Sequence, residues 1–318
     1  MKRLLVCGAT GFIGRNLAER FVRHGGYEVT AVCNRRQPFE LPGLRWVKAD
    51  LTDSAQVARV IRDTDVLIQA AATTSGAREI VDRPYVHVTD NAVMNSLIFR
   101  AAFENKVGHV VFFSCSIMHR SSEEALAEID FDPRIDPHPH YFGAGWTKVY
   151  LEKMSEFYAR IGEAKYTVIR HSNVYGPHDK FDLENSHVTG ATITKVMTAR
   201  DGRVIVWGDG EETRDLLYID DLGEFVERAL ERQPGRFGLY HCGCGTPVRI
   251  RTLVEKIVEK SGRTLAIVYD AARPSIRTNI RLDCAKAERE LGWRATTSLD
   301  EGIAGTIEWW KQNVGRGR

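Results

Sequence analysis

Seven residues near the start of the chain have the types and spacing to cradle a phosphate. Gly8-Ala9-Thr10-Gly11-Phe12-Ile13-Gly14 follows the apolar stretch Leu4–Cys7 and opens a segment with helical spacing. The glycines recur as G-x-x-G-x-x-G, not as the G-x-G-x-x-G of the general dinucleotide fingerprint. The physics is shared. Glycine permits a sharp turn and close backbone approach, and the helix N-terminus offers free N–H groups to a pyrophosphate. The strand–turn–helix setting favours a dinucleotide site over a purely structural turn. Gly8, Thr10, Gly11, Phe12, Ile13 and Gly14 are the first cofactor candidates.

The end of the next strand selects the cofactor. An acidic residue there, about twenty positions past the glycines, would bind the ribose 2′-hydroxyl. Asn34-Arg35-Arg36 stand there instead. A carboxylate repels a 2′-phosphate and guanidiniums pair with it, so NADP(H) is favoured and NAD(H) is the less favoured cofactor. Asp50 and Leu51 close a third strand and fall at the adenine edge.

These residues need strands and helices to position them, and the periodicity supplies both. Leu4–Cys7, Glu28–Cys33, Leu44–Lys48, Asp65–Ala70, His109–Ser114 and Tyr166–Arg170 read as strands. Phe12–His24, Ser54–Arg62 with Ser54 as N-cap, Ala92–Asn105 and Lys148–Arg160 read as helices. The alternation predicts an α/β fold, a doubly wound parallel Rossmann sheet over residues 1–172. After Asn173 the rhythm changes to a polar loop at Gly176–Asn185, a strand at Val204–Trp207, and helices at Asp221–Leu230, Leu253–Lys260 and Gly302–Trp310. Residues 173–318 are expected to form a smaller mixed α/β substrate-binding region, with 213–234 returning to the first domain.

Composition sets outer limits. The 318 residues carry a formal net charge of +2, which gives no reason to expect nucleic acid or an anionic membrane as partner. No apolar run is long enough to span a bilayer. Six cysteines scattered through a chain without a secretory signal suggest reduced thiols in the cytoplasm. Cys242-Gly243-Cys244 is too close a pair for zinc and has no second pair nearby, so no metal site is expected.

Taken together the motifs resemble those of the extended short-chain dehydrogenases/reductases, in the nucleotide-sugar epimerase/dehydratase family. The resemblance runs from Gly8–Gly14 through Asp50, Gln69-Ala70-Ala71-Ala72, Asn91, Ser114 and Asn173-Val174-Tyr175-Gly176-Pro177. It continues through Arg214–Asp221 to Leu291-Gly292-Trp293. The segment Asn173–Phe181 followed by Asn185-Ser186-His187-Val188 is similar to that of the GDP-L-fucose synthase branch. The resemblance implies that Ala70, Ala71, Ala72, His171, Asn173 and Val174 join the cofactor site. It also implies a nucleotide-diphosphate sugar as partner, a GDP-sugar by preference. Arg214 would clamp the diphosphate, and Ser116, Asn173, His187, Val188, Lys195 and Trp207 would contact the sugar nucleotide. A homodimer is implied too, through a four-helix bundle of Ala92–Asn105 and Lys148–Arg160.

In that family a Tyr, a Lys four residues later and a Ser or Thr at a strand end move the proton as hydride moves. Ser114 and Lys148 match; the tyrosine position holds Ala144. Alanine donates no proton. Tyr141, seven residues before Lys148, would lie about 10 Å along a helix axis from it and is not expected to substitute. Two origins stay open: a Tyr→Ala replacement made to trap a bound sugar, which the intact surroundings favour, or a natural non-catalytic chain. Cys115-Ser116 replace the Asp-Glu pair of sugar dehydratases, which argues against dehydration. The branch's epimerising cysteine belongs at 116 and here stands at Cys115. That shift leaves His187 as a sugar-binding or single acid/base group, or as a structural histidine. Redox chemistry at C4 is left: net reduction of a 4-ketosugar, with 4-epimerisation or a non-catalytic NADP(H) sensor as alternatives.

Overall fold

The computed structural model describes residues 1–73, 83–135, 137, 139–183, 186–271 and 278–315. In chain order the strands are β1 (Lys2–Cys7), β2 (Tyr27–Cys33), β3 (Leu44–Lys48), β4 (Val66–Gln69), β5 (His109–Cys115), β6 (Lys165–His171), β7 (Asn173–Tyr175), β8 (Arg203–Trp207), β9 (Thr213–Tyr218), β10 (Phe237–Cys242), β11 (Pro247–Arg249) and β12 (Ala266–Asp270). The helices are α1 (Phe12–His24), α2 (Ser54–Ile61), α3 (Thr89–Glu104), α4 (Phe142–Ile161), α5 (Val188–Thr198), α6 (Ile219–Arg232), α7 (Ile250–Ser261), α8 (Ala285–Leu291) and α9 (Leu299–Asn313).

Seven strands form one sheet in the order β10-β6-β5-β4-β1-β2-β3, and each neighbouring pair is parallel. Central strands such as Val66–Gln69 are buried on both faces, as a parallel sheet covered by helices requires. One face packs Leu17, Phe21 and Phe225, the other Ile98, Phe99 and Leu151. The order reverses between β1 and β4. A doubly wound sheet opens its ligand crevice beyond the strand ends at such a point.

A second lobe carries β7, β9 and β11 as a three-stranded sheet and β8 with β12 as a two-stranded one. Its own core gathers Tyr175, Ile193, Ile257, Ile307 and Trp310. The chain re-enters the large sheet through α6 and β10. Asp221 pins this return, because its carboxylate accepts from the Thr296 and Thr297 amides and its carbonyl from Trp293 Nε1.

Several boundaries differ from the sequence expectation. The cap of α2 is Asp53, whose side chain accepts from Gln56 N at 3.0 Å, so Ser54 is already helical. Helix α4 begins six residues before Lys148. Gly143 and Gly145 obscured its start, and both are packing glycines. A Cβ would come within 2.8 Å of Val88 Cγ2 at Gly143 and 2.9 Å of Pro137 at Gly145. Strand β10 was missed because Gly235 and Gly238 break its apolar run. Asn185 lies outside the described residues.

Candidate active site

The crevice begins at the glycine turn. Gly8 takes φ +77°, and a Cβ on it would lie 2.5 Å from the Ala71 amide nitrogen. A Cβ on Gly14 would lie 2.2 Å from Gly8 O. The turn is closed by Gly11 N donating to Gly8 O at 2.9 Å. Gly11 caps α1 without a side chain, and the first turn holds no acidic residue. The helix therefore presents bare N–H groups beside Thr10, Phe12 and Ile13, which fits a pyrophosphate. Across the crevice the segment Ala70-Ala71-Ala72 is fixed by Gln69 and Asn91. Gln69 Nε2 donates to Ala71 O at 3.0 Å, and Thr73 N donates to the Asn91 side chain at 2.9 Å.

Beyond β2 and β3 lies a cavity of about 350 Å³ walled by Asn34, Arg35, Arg36, Trp46 and Lys48. Arg36 reaches back to Thr10 O at 3.4 Å, so the cavity adjoins the glycine turn. Asp50 accepts from the Thr52 amide and hydroxyl, which with Asn34 and Arg35 nearby hold its pKa below the usual carboxylate range. Leu51 is buried behind it. Trp46 and Lys48 were missed in the sequence. Strand alternation puts both on one face of β3, opposite Ala31 and Cys33 of β2.

A second group of residues gathers at the end of β5 and the start of α4. Lys148 donates its Nζ to Phe113 O at 2.7 Å and lies over the Phe112 ring. Burial pulls its pKa down, opposed by the Cys115 thiol and Glu152. Burial pushes the Cys115 thiol up, opposed by Lys148. Strand β5 runs one residue past Ser114, to Cys115; Ser114 is fully buried, and its hydroxyl donates to Glu152 Oε1 at 2.6 Å. The same carboxylate takes Arg170 Nε at 2.9 Å and Nη2 at 2.7 Å. Ser116 is buried at the head of a 3-10 turn.

Tyr141 differs most from expectation. It is not one of the helical residues of α4 but its N-cap, at the end of a 3-10 turn. The turn sets it within electrostatic reach of Arg214 and Cys115. Burial raises the Tyr141 pKa and the Arg214 guanidinium opposes that rise. Ala144 lies one turn on, partly buried, between Tyr141 and Lys148.

The remaining residues come from the second lobe and its seam. His171 Nδ1 lies 2.7 Å from Ser172 O, an acceptor, so that nitrogen carries the proton. Burial pulls His171 down to about 4, and the charges of Lys148 and His187 add to the effect. His187 is the N-cap of α5. Desolvation and the Lys180 charge lower its pKa. Val188 follows as the first residue of α5, half-buried. Arg214 donates to Thr213 O and Thr278 O, and burial lowers its pKa. Asn173 ties β7 to β9 through a 3.3 Å bond to Asp215 O, and Val174 is core. Lys195 donates to Ile205 O at 3.1 Å and covers the exposed Trp207 ring, a pair on the strand β8. Charge effects couple Tyr141 with Arg214 and Cys115, Cys115 with Lys148, and His171 with Lys148 and His187, while Lys195 and Trp207 form a separate contact.

Comparison with known proteins places this geometry. The profile of the NAD dependent epimerase/dehydratase family matches residues 4–243. The chain belongs to that family. Among its relatives is GDP-L-fucose synthase of Escherichia coli (strain K12), 27% identical over 100% of this chain and 99% of that one. Another is dTDP-glucose 4,6-dehydratase of Streptomyces antibioticus, 29% identical over 98% and 92%. UDP-glucose 4-epimerase of Thermotoga maritima, solved with UDP-glucose, shares the fold at a TM-score of 0.86, with 24% identity over 98% and 99% of the chains. MoeE5, solved with UDP-glucuronic acid and NAD, has a TM-score of 0.83 and 25% identity over 99% and 100%. The epimerase/dehydratase family is NAD(P)-dependent and works on nucleotide sugars. Among the described residues, no helix is long and apolar enough to cross a membrane.

Proposed function

We propose that the chain is an NADP(H)-dependent nucleotide-sugar 4-ketoreductase, or reductase/epimerase, acting on a GDP-4-keto-6-deoxyhexose. The cationic cavity of Arg35, Arg36 and Lys48 carries this reading. Three cations and no carboxylate wall the space beside the second strand, where a ribose 2′-phosphate would be held and a 2′-hydroxyl would gain little. A cofactor kept in its 2′-phosphorylated reduced form favours net reduction over a redox-neutral cycle. The full-length similarity to GDP-L-fucose synthase supports the GDP-sugar.

Each residue then has a task. The bare N-terminus of α1 and the glycine turn would hold the pyrophosphate, Asp50 and Leu51 the adenine side, and Ala70–Ala72 the segment crossing the crevice. Lys148, His171, Asn173 and Val174 would meet its far end. The bound dinucleotide supplies hydride. Arg214 would hold the sugar diphosphate, and Val188, His187, Lys195 and Trp207 would contact the nucleotide sugar. Lys148 is a cation fixed by Phe113 O, so it orients hydroxyls and lowers the cost of a nearby anion. Alanine at 144 removes the donor expected there. A chain in which nothing replaced it would bind its ligands and turn them over slowly.

The test is NADPH consumption with a panel of GDP- and UDP-4-keto-6-deoxyhexoses, with products assigned by NMR. Consumption with a GDP-sugar is expected. Interconversion of UDP-sugars without net NADPH loss would instead make the chain a 4-epimerase. Binding without turnover, in this chain and in Ala144→Tyr, would make it a sensor. The homodimer belongs to the same proposal. Tyr150, Phe157 and Ile161 are exposed along one stripe of α4, which packs on α3. Sedimentation should give a dimer, and Phe157→Lys a monomer.

A further inference from the structure

Among the described residues, three other than glycine take a positive φ, and one of them is His178, at +67° in the turn between β7 and α5. Side chains with a Cβ enter that region rarely, and one that stays there is held by its surroundings. His178 Nε2 stands 3.4 Å from Glu19 Oε1 of α1. Its ring meets the Trp309 ring of α9 edge to face, with the centroids 4.8 Å apart. One residue earlier, Pro177 O accepts from Asn16 Nδ2 of α1 at 2.9 Å.

The α1 side of this clamp is itself fixed. Asn16 Nδ2 also donates to Phe12 O at 2.9 Å, and Glu19 Oε1 takes Arg15 Nε at 2.9 Å. The Arg15 guanidinium lies over Phe39, whose ring meets Trp46 in the wall of the cationic cavity. The far end of the turn is held by α5. Phe181 O accepts from Thr194 Oγ1 at 2.8 Å, and Lys180 O from Ser186 Oγ at 2.7 Å. Gly190 comes so near that a Cβ on it would lie 2.3 Å from Lys180 O. Phe181 stacks on the same Trp309 that meets His178. The turn is thus a packed bridge from α1 to the helix that opens with His187 and Val188.

We propose that Asn16 and His178 are positioning residues for the nucleotide sugar. They lock the Gly176–Phe181 turn to α1 and so fix where α5 presents His187 and Val188. Each acts through the turn, with no contact to a ligand. The inference rests on the reading that α1 serves the dinucleotide and α5 the nucleotide sugar.

The test measures two affinities in the full chain: NADPH by fluorescence titration, and the stable nucleotide sugars GDP-mannose and UDP-glucose by calorimetry. Asparagine tolerates a positive φ but is too short to fill the place of the ring, so His178→Asn opens the clamp and spares the backbone. His178→Asn and Asn16→Ala should each weaken nucleotide-sugar binding by roughly 10-fold, with NADPH affinity within about two-fold of wild type. Glu19→Gln keeps a polar partner for His178 and should retain most of the affinity that Glu19→Ala loses. His178→Asn with Asn16→Ala should cost less than the product of the two losses, because both open one clamp. Unchanged sugar affinity in both single variants overturns the proposal and leaves the nucleotide-sugar reading standing. Parallel loss of both ligands also overturns it, since the contacts would then only support the fold. A wild type that binds NADPH but neither nucleotide sugar overturns that reading and the positioning roles with it.

Discussion

Replacing Glu152 with alanine should destabilise the protein far more than replacing Glu152 and Arg170 together. The pair is buried, each side chain 4% exposed, and bidentate. Glu152→Ala leaves a guanidinium in the core with only Glu128 O at 3.1 Å and His119 Nε2 at 3.3 Å. Stranding a buried charge costs about 3–5 kcal/mol. In Glu152→Leu/Arg170→Met the desolvation penalty leaves with both charges. What remains is the Ser114 hydroxyl and a carbonyl without their partners, about 1–3 kcal/mol. At roughly 2 °C per kcal/mol for a chain of this size, Tm should fall by about 6–10 °C in the single variant and about 2–6 °C in the double. Thermal melts of ligand-free protein at pH 7.5 and one scan rate would measure both. A double variant that melts as low as the single one would refute the reasoning, because stability would then depend on the pair itself and not on leaving neither charge alone.

Acid should unfold the protein through its buried histidines. His109, bonded to Thr167 Oγ1 at 2.8 Å, and His119 are both pulled down to about 3 by burial, with cations adding to the shift. Between about pH 6.5 and 3 the unfolded chain binds protons that the folded chain does not, so stability falls with pH by about 2 kcal/mol per histidine at pH 5. The slope of Tm against pH should shrink in His109→Gln. Gly14→Ala drives a methyl to 2.2 Å from Gly8 O and should weaken NADPH binding by roughly 100-fold in a fluorescence titration, with the fold kept by circular dichroism. Arg35→Ala/Arg36→Ala should weaken NADPH by roughly 10–100-fold and NADH little; equal losses would remove the 2′-phosphate assignment.

The first half of the fold was legible because its signals are local. Helix α1 and strand β3 fall where periodicity put them, and the glycine turn announced itself by spacing. What the sequence hid depends on tertiary contact. Gly143 and Gly145 look like helix breakers until Val88 and Pro137 are seen against them. Strand β10 reads as loop until β6 is seen beside it, in register from Phe237 with Tyr166 to Cys242 with His171. Lys48 is an ordinary surface lysine until β2 and β3 bring it to Arg35. Tyr141 projects along a helix axis in the sequence, whereas in the structure it ends a 3-10 turn and caps α4.

The parity of β5 decides which side chain the site receives. Alternate residues of a strand face opposite ways. Ser114 points to Glu152 of α4, a bond made firm by Arg170, so the Cys115 side chain leaves the opposite face of β5. At 115 the thiol is buried, and the Lys148 charge opposes the burial that pushes its pKa up. His187 is linked instead to His171 and Lys180. An epimerising pair needs a thiol and an imidazole on the two sides of one carbon. Here the cysteine stands at 115, one residue from where the branch carries it, and the histidine caps α5. The arginine-walled cavity beside the second strand and the shifted cysteine thus support the proposed reduction at C4 over epimerisation by a thiol–imidazole pair.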